Sequence, residues 1–175
     1  MTKFSKAFST LLLVFILLLT MTSCSGYDFY NDWHGAGADI DKENIYEVIS
    51  LEEAKKKKDA SETFVLVYAA SSSSKAVSVI TSLQAQAEYL SCTDVVIYYL
   101  NSKDYFGSTS TRTEVRNTLN MNESPSDGSP VILGFKSGAT ILDTSDSKKS
   151  KDFMVDGSIS YSSLASYIFR DLLAK

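Results

Sequence analysis

One stretch of the chain limits the possible folds more than any other: residues 63 to 69, with the sequence TFVLVYA. All seven residues are β-branched, aromatic or apolar, which is typical of a strand, and consecutive strand residues face opposite sides of a sheet. A strand that is apolar on both faces must be covered on both faces, as happens in a sheet flanked by helices. The sequence therefore predicts an α/β fold whose central sheet lies between layers of helices.

The segments before and after this strand continue the alternation of strands and helices. A short strand is predicted over 44 to 49, and Ser50 and Glu53 have the spacing of a capping box that begins a helix ending near Asp59. After the strand, apolar residues recur three and four positions apart, which predicts one face of an amphipathic helix. The residues of that face are Ala76, Ile80, Leu83, Ala87 and Leu90.

The second half of the chain adds two more strands that pair as a hairpin, and a final helix. The polar segment 143 to 152 is interpreted as a mobile loop, and residues 153 to 155 as closing the sheet edge. The predicted order is β-α-β-α-β-α-β-β-α, a mixed sheet with a C-terminal β-hairpin and helix. The remaining predicted elements are a strand at 94–100, a helix at 111–119, strands at 130–135 and 139–143 around a tight turn, and a helix from Tyr161 with Leu164, Ile168 and Leu172 on its apolar face and Ser160 as its cap.

The first 23 residues have the features of an export signal. Lys3 and Lys6 precede the apolar run LLLVFILLL at 11 to 19, which is too short to span a bilayer comfortably. Small residues follow this run and end at Cys24. Since a charged start, an apolar core and a small-residue end define a secretory signal, we expect residues 1 to 23 to be removed.

The residues that end this signal, Met21-Thr22-Ser23-Cys24, resemble the lipobox of bacterial lipoproteins. The resemblance implies cleavage before Cys24, lipidation of its sulfur, and a domain held on the membrane outside the cytoplasm, at the bacterial cell surface. The alternative is an ordinary signal peptide with a chance cysteine nearby. Residues 24 to 43 are interpreted as a flexible tether and 44 to 175 as the domain. The tether's aromatic residues either dock on the domain or lie at the lipid interface: Tyr27, Phe29, Tyr30 and Trp33.

Charge and metal-ligand content exclude several classes of function. Removing residues 1 to 23 takes away two lysines and no acids, so Lys plus Arg falls from 17 to 15 against 21 Asp plus Glu, and the net charge moves from −4 to −6. An acidic protein lacks the basic surface that nucleic acid requires. The basic run 55 to 58 follows Glu52 and Glu53 and is interpreted as a solvated helix face. With one histidine, His34, and one unlipidated thiol, Cys92, neither a metal site nor a cofactor is expected.

The residues between the central strand and the following helix carry a resemblance to thioredoxin. Val67-Tyr68-Ala69 stands where thioredoxins have Phe-Trp-Ala, and Ser71-Ser72-Ser73-Ser74-Lys75 stands where they have the two-cysteine motif that opens a helix. Ser129-Pro130, a strand and Phe135-Lys136-Ser137-Gly138 resemble the family's cis-proline segment, and Gly157 precedes the last helix. The likeness covers about 45 to 175 and implies a thioredoxin-like fold.

The same resemblance argues against redox activity. With Lys75 aligned to the family lysine, Ser71 and Ser74 take the cysteine positions, and a shift of one residue puts Ser72 there instead. Thiol exchange needs a thiolate, which serine does not supply. The family's buried acid corresponds to Leu66. A serine nucleophile would need a base, and His34 lies in the predicted tether, so we expect no enzyme and interpret the serines as helix caps.

What remains for function is binding. The resemblance implies that extended polypeptide binds beside the proline loop through backbone hydrogen bonds. The expected partner is an exported peptide or protein. The alternatives are an accessory role in export of bacteriocins or other peptides, and a residual redox role through Cys92. The predicted groove residues are Tyr68, Ser71, Ser72, Ser73, Ser74, Ser129 and Pro130.

Overall fold

The computed structural model describes residues 27–123 and 128–174, so the predicted signal peptide, the lipobox and Cys24 lie outside the described residues. The described elements alternate between strand and helix as predicted, with an additional helix at the beginning and with a short helix and two short strands before the last helix. In chain order they are helix α1 (Phe29–Gly35), strand β1 (Tyr46–Val48), helix α2 (Leu51–Asp59), strand β2 (Phe64–Ala69), helix α3 (Ser74–Tyr89), strand β3 (Ile97–Asn101), a 3₁₀ turn (Ser102–Tyr105), helix α4 (Thr109–Thr118), strands β4 (Val131–Lys136) and β5 (Ala139–Asp143), a short helix α5 (Ser147–Ser150), a 3₁₀ turn (Lys151–Phe153), strands β6 (Met154–Val155) and β7 (Ser158–Ile159), and helix α6 (Tyr161–Tyr167), which continues as a π-helical turn (Ile168–Leu172).

Five of the strands form one mixed sheet in the order β1-β3-β2-β4-β5. Strands β1, β3 and β2 are parallel, whereas β4 pairs antiparallel with β2, and β5 pairs antiparallel with β4. The α/β class and the mixed sheet with a terminal hairpin and helix are therefore confirmed. The strand predicted at 94–100 begins three residues later, at Ile97, because Asp94 and Val96 are exposed before the sheet starts.

Strand β2 lies at the centre of the sheet, and all six of its residues are buried. Val65, Val67 and Ala69 face a core formed with α1, α3 and α6. The intervening residues Phe64, Leu66 and Tyr68 face a second core formed with α2 and α4. The two cores explain why this stretch is apolar at every position, since helices cover both sides of the sheet.

The four consecutive lysines of α2 all have partners within the domain. Lys55 and Lys56 are exposed, as predicted for a solvated face, whereas Lys57 and Lys58 are half-buried. Lys55, Lys56 and Lys57 lie 2.6, 3.0 and 3.0 Å from Asp59, Glu52 and Glu62, respectively. Lys58 donates to the Thr118 carbonyl. The helix begins at the predicted capping box, with Ser50 accepting from the Glu53 amide and Glu53 accepting from the Ser50 amide.

The predicted tether is wrong for its described part, residues 27 to 43, which belong to the domain. Asp28 caps α1, and Phe29 and Trp33, four positions apart, lie on one face of that helix and are buried. Trp33 is fully buried and packs edge-to-face on Tyr99 of β3. A helix of two turns is too short to show a clear apolar period in the sequence. The apolar face of α1 is therefore recognisable only when the surface on which it packs is known.

The polar segment after β5 is also structured, contrary to the predicted mobile loop. Asp143 is fully buried and accepts hydrogen bonds from the Asn122 amide at 3.0 Å and the Ser145 amide at 2.9 Å. Asp146 caps α5. These side chains are polar because they satisfy buried backbone N–H groups, which is a structural use of polarity.

One smaller prediction near the C-terminus is wrong, and another is correct only in the position of the residue. Residues Met154–Val155 do not close the main sheet but pair with Ser158–Ile159 as a separate two-stranded sheet. Ser160 is the N-cap residue of α6, as predicted, but its side chain makes no capping hydrogen bond. Within the described residues, no helix has the length and apolar character needed to cross a membrane.

Candidate functional site

The four serines lie at the edge of the sheet where two parallel strands end. Ala69 of β2 pairs with Asn101 of β3, so Ser71 and Lys103, each two positions further on, lie side by side beyond the sheet. In α/β proteins the carboxyl ends of parallel strands form the usual binding crevice. We call the residues Ser71 to Ser74 the serine loop.

The first serine of the loop, Ser71, lies in a cluster with two charged side chains. Lys103 Nζ donates to Ser71 Oγ at 2.8 Å. The carboxylate of Asp32, which α1 brings to the site, lies close enough for the Ser71 hydroxyl to help lower the pKa of Asp32. Lys103 Nζ lies 3.8 Å from Asp32 Oδ1, so the three side chains form one connected cluster. Ser71 is only 7% exposed within it.

The hydroxyls of two tyrosines, Tyr27 and Tyr99, extend the hydrogen-bond network of this cluster. Tyr27 donates to Asp32 and lies 3.4 Å from the Tyr99 hydroxyl, which donates to the Ala69 carbonyl at 3.0 Å. Burial raises the pKa of Tyr27 above its ordinary value, and the hydrogen bond to Asp32 raises it further. Burial likewise raises the pKa of Tyr99. Both phenols are therefore neutral donors at physiological pH.

The carboxylate of Asp32 is stabilised in its charged form. Partial burial by itself would raise the pKa of Asp32, but hydrogen bonds from Ser71 and Tyr27 and the charge of Lys103 together lower it below its ordinary value. A carboxylate with a lowered pKa is a weak proton acceptor, and a lysine ammonium has no acceptor at all. The cluster therefore holds the Ser71 hydroxyl in place, with Lys103 donating to its oxygen.

The other predicted groove residues divide into three groups. Ser73 caps α3 by accepting from the Ala76 amide and donates to the Gly128 carbonyl, so the structure does bring the serine loop against the segment of Ser129 and Pro130. Ser72 and Ser74 are exposed, while Ser129 and Pro130 are half-buried. The capping role predicted for the serines is confirmed for Ser73.

Tyr68 does not line the groove, contrary to the prediction. Its side chain is fully buried on the α2 and α4 side of the sheet, with its ring 6.0 Å from that of Phe106 and 6.5 Å from that of Tyr105. The reason is the strand's alternation, which puts Tyr68 with Phe64 and Leu66. The peptide bond before Pro130 is trans, since the described residues contain no cis bond.

Sequence reasoning missed Tyr27, Asp32 and Lys103. Lys103 could have been found from topology, because it directly follows a parallel strand at the edge where binding crevices form. No local pattern indicated a role for Tyr27 and Asp32, since the short segment that contains them shows no clear period and was interpreted as a tether. Within the described parts of the chain, no group of three metal-ligating side chains comes together.

Cys92 lies at the opposite end of α3 from the serine loop. The helix has 16 residues, which corresponds to about 24 Å. Cys92 is half-buried, and its thiol is 3.4 Å from the Leu90 carbonyl. The thiol is therefore remote from the crevice, as predicted from topology.

We expect Asp32→Asn to change how stability depends on pH. Because the pKa of Asp32 is lowered on folding, its charged form stabilises the fold above the unfolded-state pKa of about 3.9, and this contribution is lost as the pH falls below that value. The wild type should exceed Asp32→Asn in free energy of unfolding near pH 7, and this advantage should shrink towards about pH 3. Urea unfolding at several pH values measures the difference, and a difference that is constant across this range would contradict the assignment.

Comparison with protein-family models and with curated proteins finds no match for the chain. The basis for a functional proposal is therefore the geometry of the serine loop, its charged partners and the proline segment beside it.

Proposed function

We propose that this protein is a redox-inactive, thioredoxin-like binding module, exported and anchored to the bacterial membrane as a lipoprotein through Cys24. The order of strands and helices, the mixed sheet and the loop at the end of β2 support a thioredoxin-like fold. The lipobox-like residues 21 to 24 support the anchor. The proposed ligand is an extended segment of an exported peptide or protein.

The observation that most directly supports this proposal is the residue type and the contacts of Ser71. Ser71, which the resemblance aligns with the first thioredoxin cysteine when Lys75 is aligned to the family lysine, lies in a cluster with Lys103 and Asp32. Serine forms no disulfide, and the one described thiol, Cys92, is at the far end of α3. These facts support a role that uses the shape of the site without its redox chemistry.

The exposed groups around the loop are suited to hydrogen bonding with polypeptide. Ser72 and Ser74 present hydroxyls that both donate and accept, and Ser129 and Pro130 lie on the neighbouring segment. Backbone hydrogen bonds to an extended peptide are independent of thiols. The groove residues in the proposal are Ser72, Ser74, Ser129 and Pro130, without Tyr68.

Site-specific cross-linking tests the binding role. With a photo-reactive residue at position 72, we expect discrete cross-linked polypeptides in intact cells, because Ser72 is exposed beside the proposed groove. The matched control is position 89, where Tyr89 is 80% exposed at the far end of α3. Indistinguishable products from the two positions would contradict binding at the serine loop.

The same protein should not reduce insulin disulfides. Cys92→Ser should leave the reduction rate at background, because Cys92 contributes no thiol to the crevice. Thiol-dependent activity that Cys92→Ser abolishes would replace the binding proposal with a redox role through Cys92.

A further inference from the structure

We propose that the serine-loop end of the domain rests against the headgroup layer of the membrane, so that the crevice opens onto the bilayer surface. This inference rests on the proposed lipidation of Cys24 and deepens the proposed function by naming where its ligand must be. By the serine-loop end we mean the carboxyl ends of β2 and β3, with Ser71 to Ser74, Lys75 and Lys103.

The first step is the short distance along the chain between the anchor and the domain. Cys24 precedes Tyr27, the first described residue, by three positions. Three fully extended residues span at most about 11 Å. Because residues 27 to 43 are packed into the domain and do not form a tether, the lipidated residue cannot be further than this from the α-carbon of Tyr27.

The second step is the location of Tyr27 within the domain. Its hydroxyl donates to Asp32 and lies 3.4 Å from that of Tyr99. Asp32 Oδ1 lies 3.8 Å from Lys103 Nζ, which donates to Ser71. The chain thus enters the domain beside the Asp32 and Lys103 cluster that contacts the serine loop. Lipid attached at Cys24 therefore brings this end of the molecule to the membrane.

The third step is that the opposite end is held away from the bilayer. Helix α3 begins at the serine loop and runs for 16 residues, about 24 Å, to Tyr89. Cys92 lies beyond that helix. A domain attached beside the first turn of α3 places the last turn on the side facing away from the anchor.

The chemistry of the serine-loop end is suited to headgroups and not to acyl chains. Its exposed side chains are Ser72, Ser74, Lys75 and Lys103, all of which form hydrogen bonds with water or polar groups. Insertion into the acyl region requires an apolar face, which these residues do not provide. A polypeptide that reaches the crevice must therefore be at the membrane surface, as a membrane-embedded or membrane-associated chain is.

Fluorescence quenching by lipid headgroups tests this orientation. Acylated protein carrying Cys92→Ser and either Ser72→Cys or Tyr89→Cys is labelled with a fluorophore and inserted into phosphatidylcholine vesicles that contain a nitroxide-headgroup phosphatidylcholine. We expect the label at position 72 to be quenched several-fold more strongly than the label at position 89, since about 24 Å of helix separates the two ends. Equal quenching, or stronger quenching at position 89, would overturn the orientation.

A spacer variant provides the matched control. Insertion of about 20 Gly and Ser residues after Ser25, with a root-mean-square length of about 25 Å, should reduce quenching at position 72 towards the level at position 89. Unchanged strong quenching would mean that this surface binds lipid without orientation by the anchor, which also contradicts the proposal. Protein that incorporates no palmitate and does not float with vesicles would overturn the lipoprotein proposal as well, whereas acylated, floating protein with equal quenching would overturn the orientation alone.

Discussion

Trp33→Ala should lower the free energy of unfolding by about 3–5 kcal/mol, the usual cost of truncating a fully buried tryptophan. Trp33 is 0% exposed and packs on Phe29 and Tyr99 with ring-centroid distances of 5.8 and 5.5 Å. The loss would come from a segment that sequence patterns assigned to a flexible tether. A large effect would therefore show that the domain begins at α1 and not at residue 44.

Urea unfolding followed by far-UV circular dichroism measures this effect, because Trp33 is the only tryptophan and the variant lacks its fluorescence. The matched control is His34→Ala, which changes the neighbouring exposed residue of α1 and should alter stability by no more than about 0.5 kcal/mol. A loss of less than about 1 kcal/mol for Trp33→Ala would mean that α1 contributes little to the fold.

Cys24→Ala should release the protein from the membrane completely. Each buried methylene of an acyl chain contributes about 0.8 kcal/mol, so two or three chains on one cysteine hold a protein firmly, and their loss leaves no comparable anchor in the described residues. Membrane fractionation and incorporation of labelled palmitate measure the change.

Cys92→Ala is the control for Cys24→Ala, because it removes the other cysteine of the chain and should leave both fractionation and labelling unchanged. Retention of Cys24→Ala in the membrane, with palmitate still incorporated, would rule out the lipobox assignment. Release of both variants would indicate that membrane attachment depends on thiols in some other way.

The effects of α1 and of the anchor are coupled in the proposed orientation. If Trp33→Ala detaches α1 while the domain stays folded, Asp32 leaves Lys103 and Ser71, and the chain between Cys24 and the domain lengthens. The serine loop would then lose a charged partner and its fixed distance from the membrane together. Helix α1 thus links the environment of the crevice to the position of the domain on the bilayer.

The main sheet was predictable because its signal is local. The apolar run at 63 to 69 predicted a central strand, and the capping box at Ser50 and the apolar spacing after the serines predicted the helices on either side. Each of these patterns depends on residues that are close together in the sequence. They can therefore be recognised without knowing which other elements the strand or helix packs against.

The candidate site was only partly predictable, because its residues come from distant parts of the chain. The serine loop was recognisable because it lies between an apolar strand, β2, and an amphipathic helix, α3, which both have clear sequence patterns. Lys103 and Asp32 reach Ser71 from positions 32 and 39 residues away in the sequence, and no local pattern identifies such a contact. Tyr68 is predicted to line the groove because it is close to the serine loop in the sequence. That closeness does not show which face of the sheet its side chain occupies, and the structure places it in the second core.

Local sequence patterns were enough to predict the α/β class, the mixed sheet with its terminal hairpin and helix, and the absence of a cysteine at the end of β2. These follow from hydrophobic period, capping chemistry and residue identity, all of which are local. The folded structure was needed to show that residues 27 to 43 belong to the domain and that Ser71 lies in a cluster with Lys103 and Asp32. The physical reason is that a two-turn helix is stable only through the surface that it covers, and a hydroxyl obtains its partners only when the chain has folded around it.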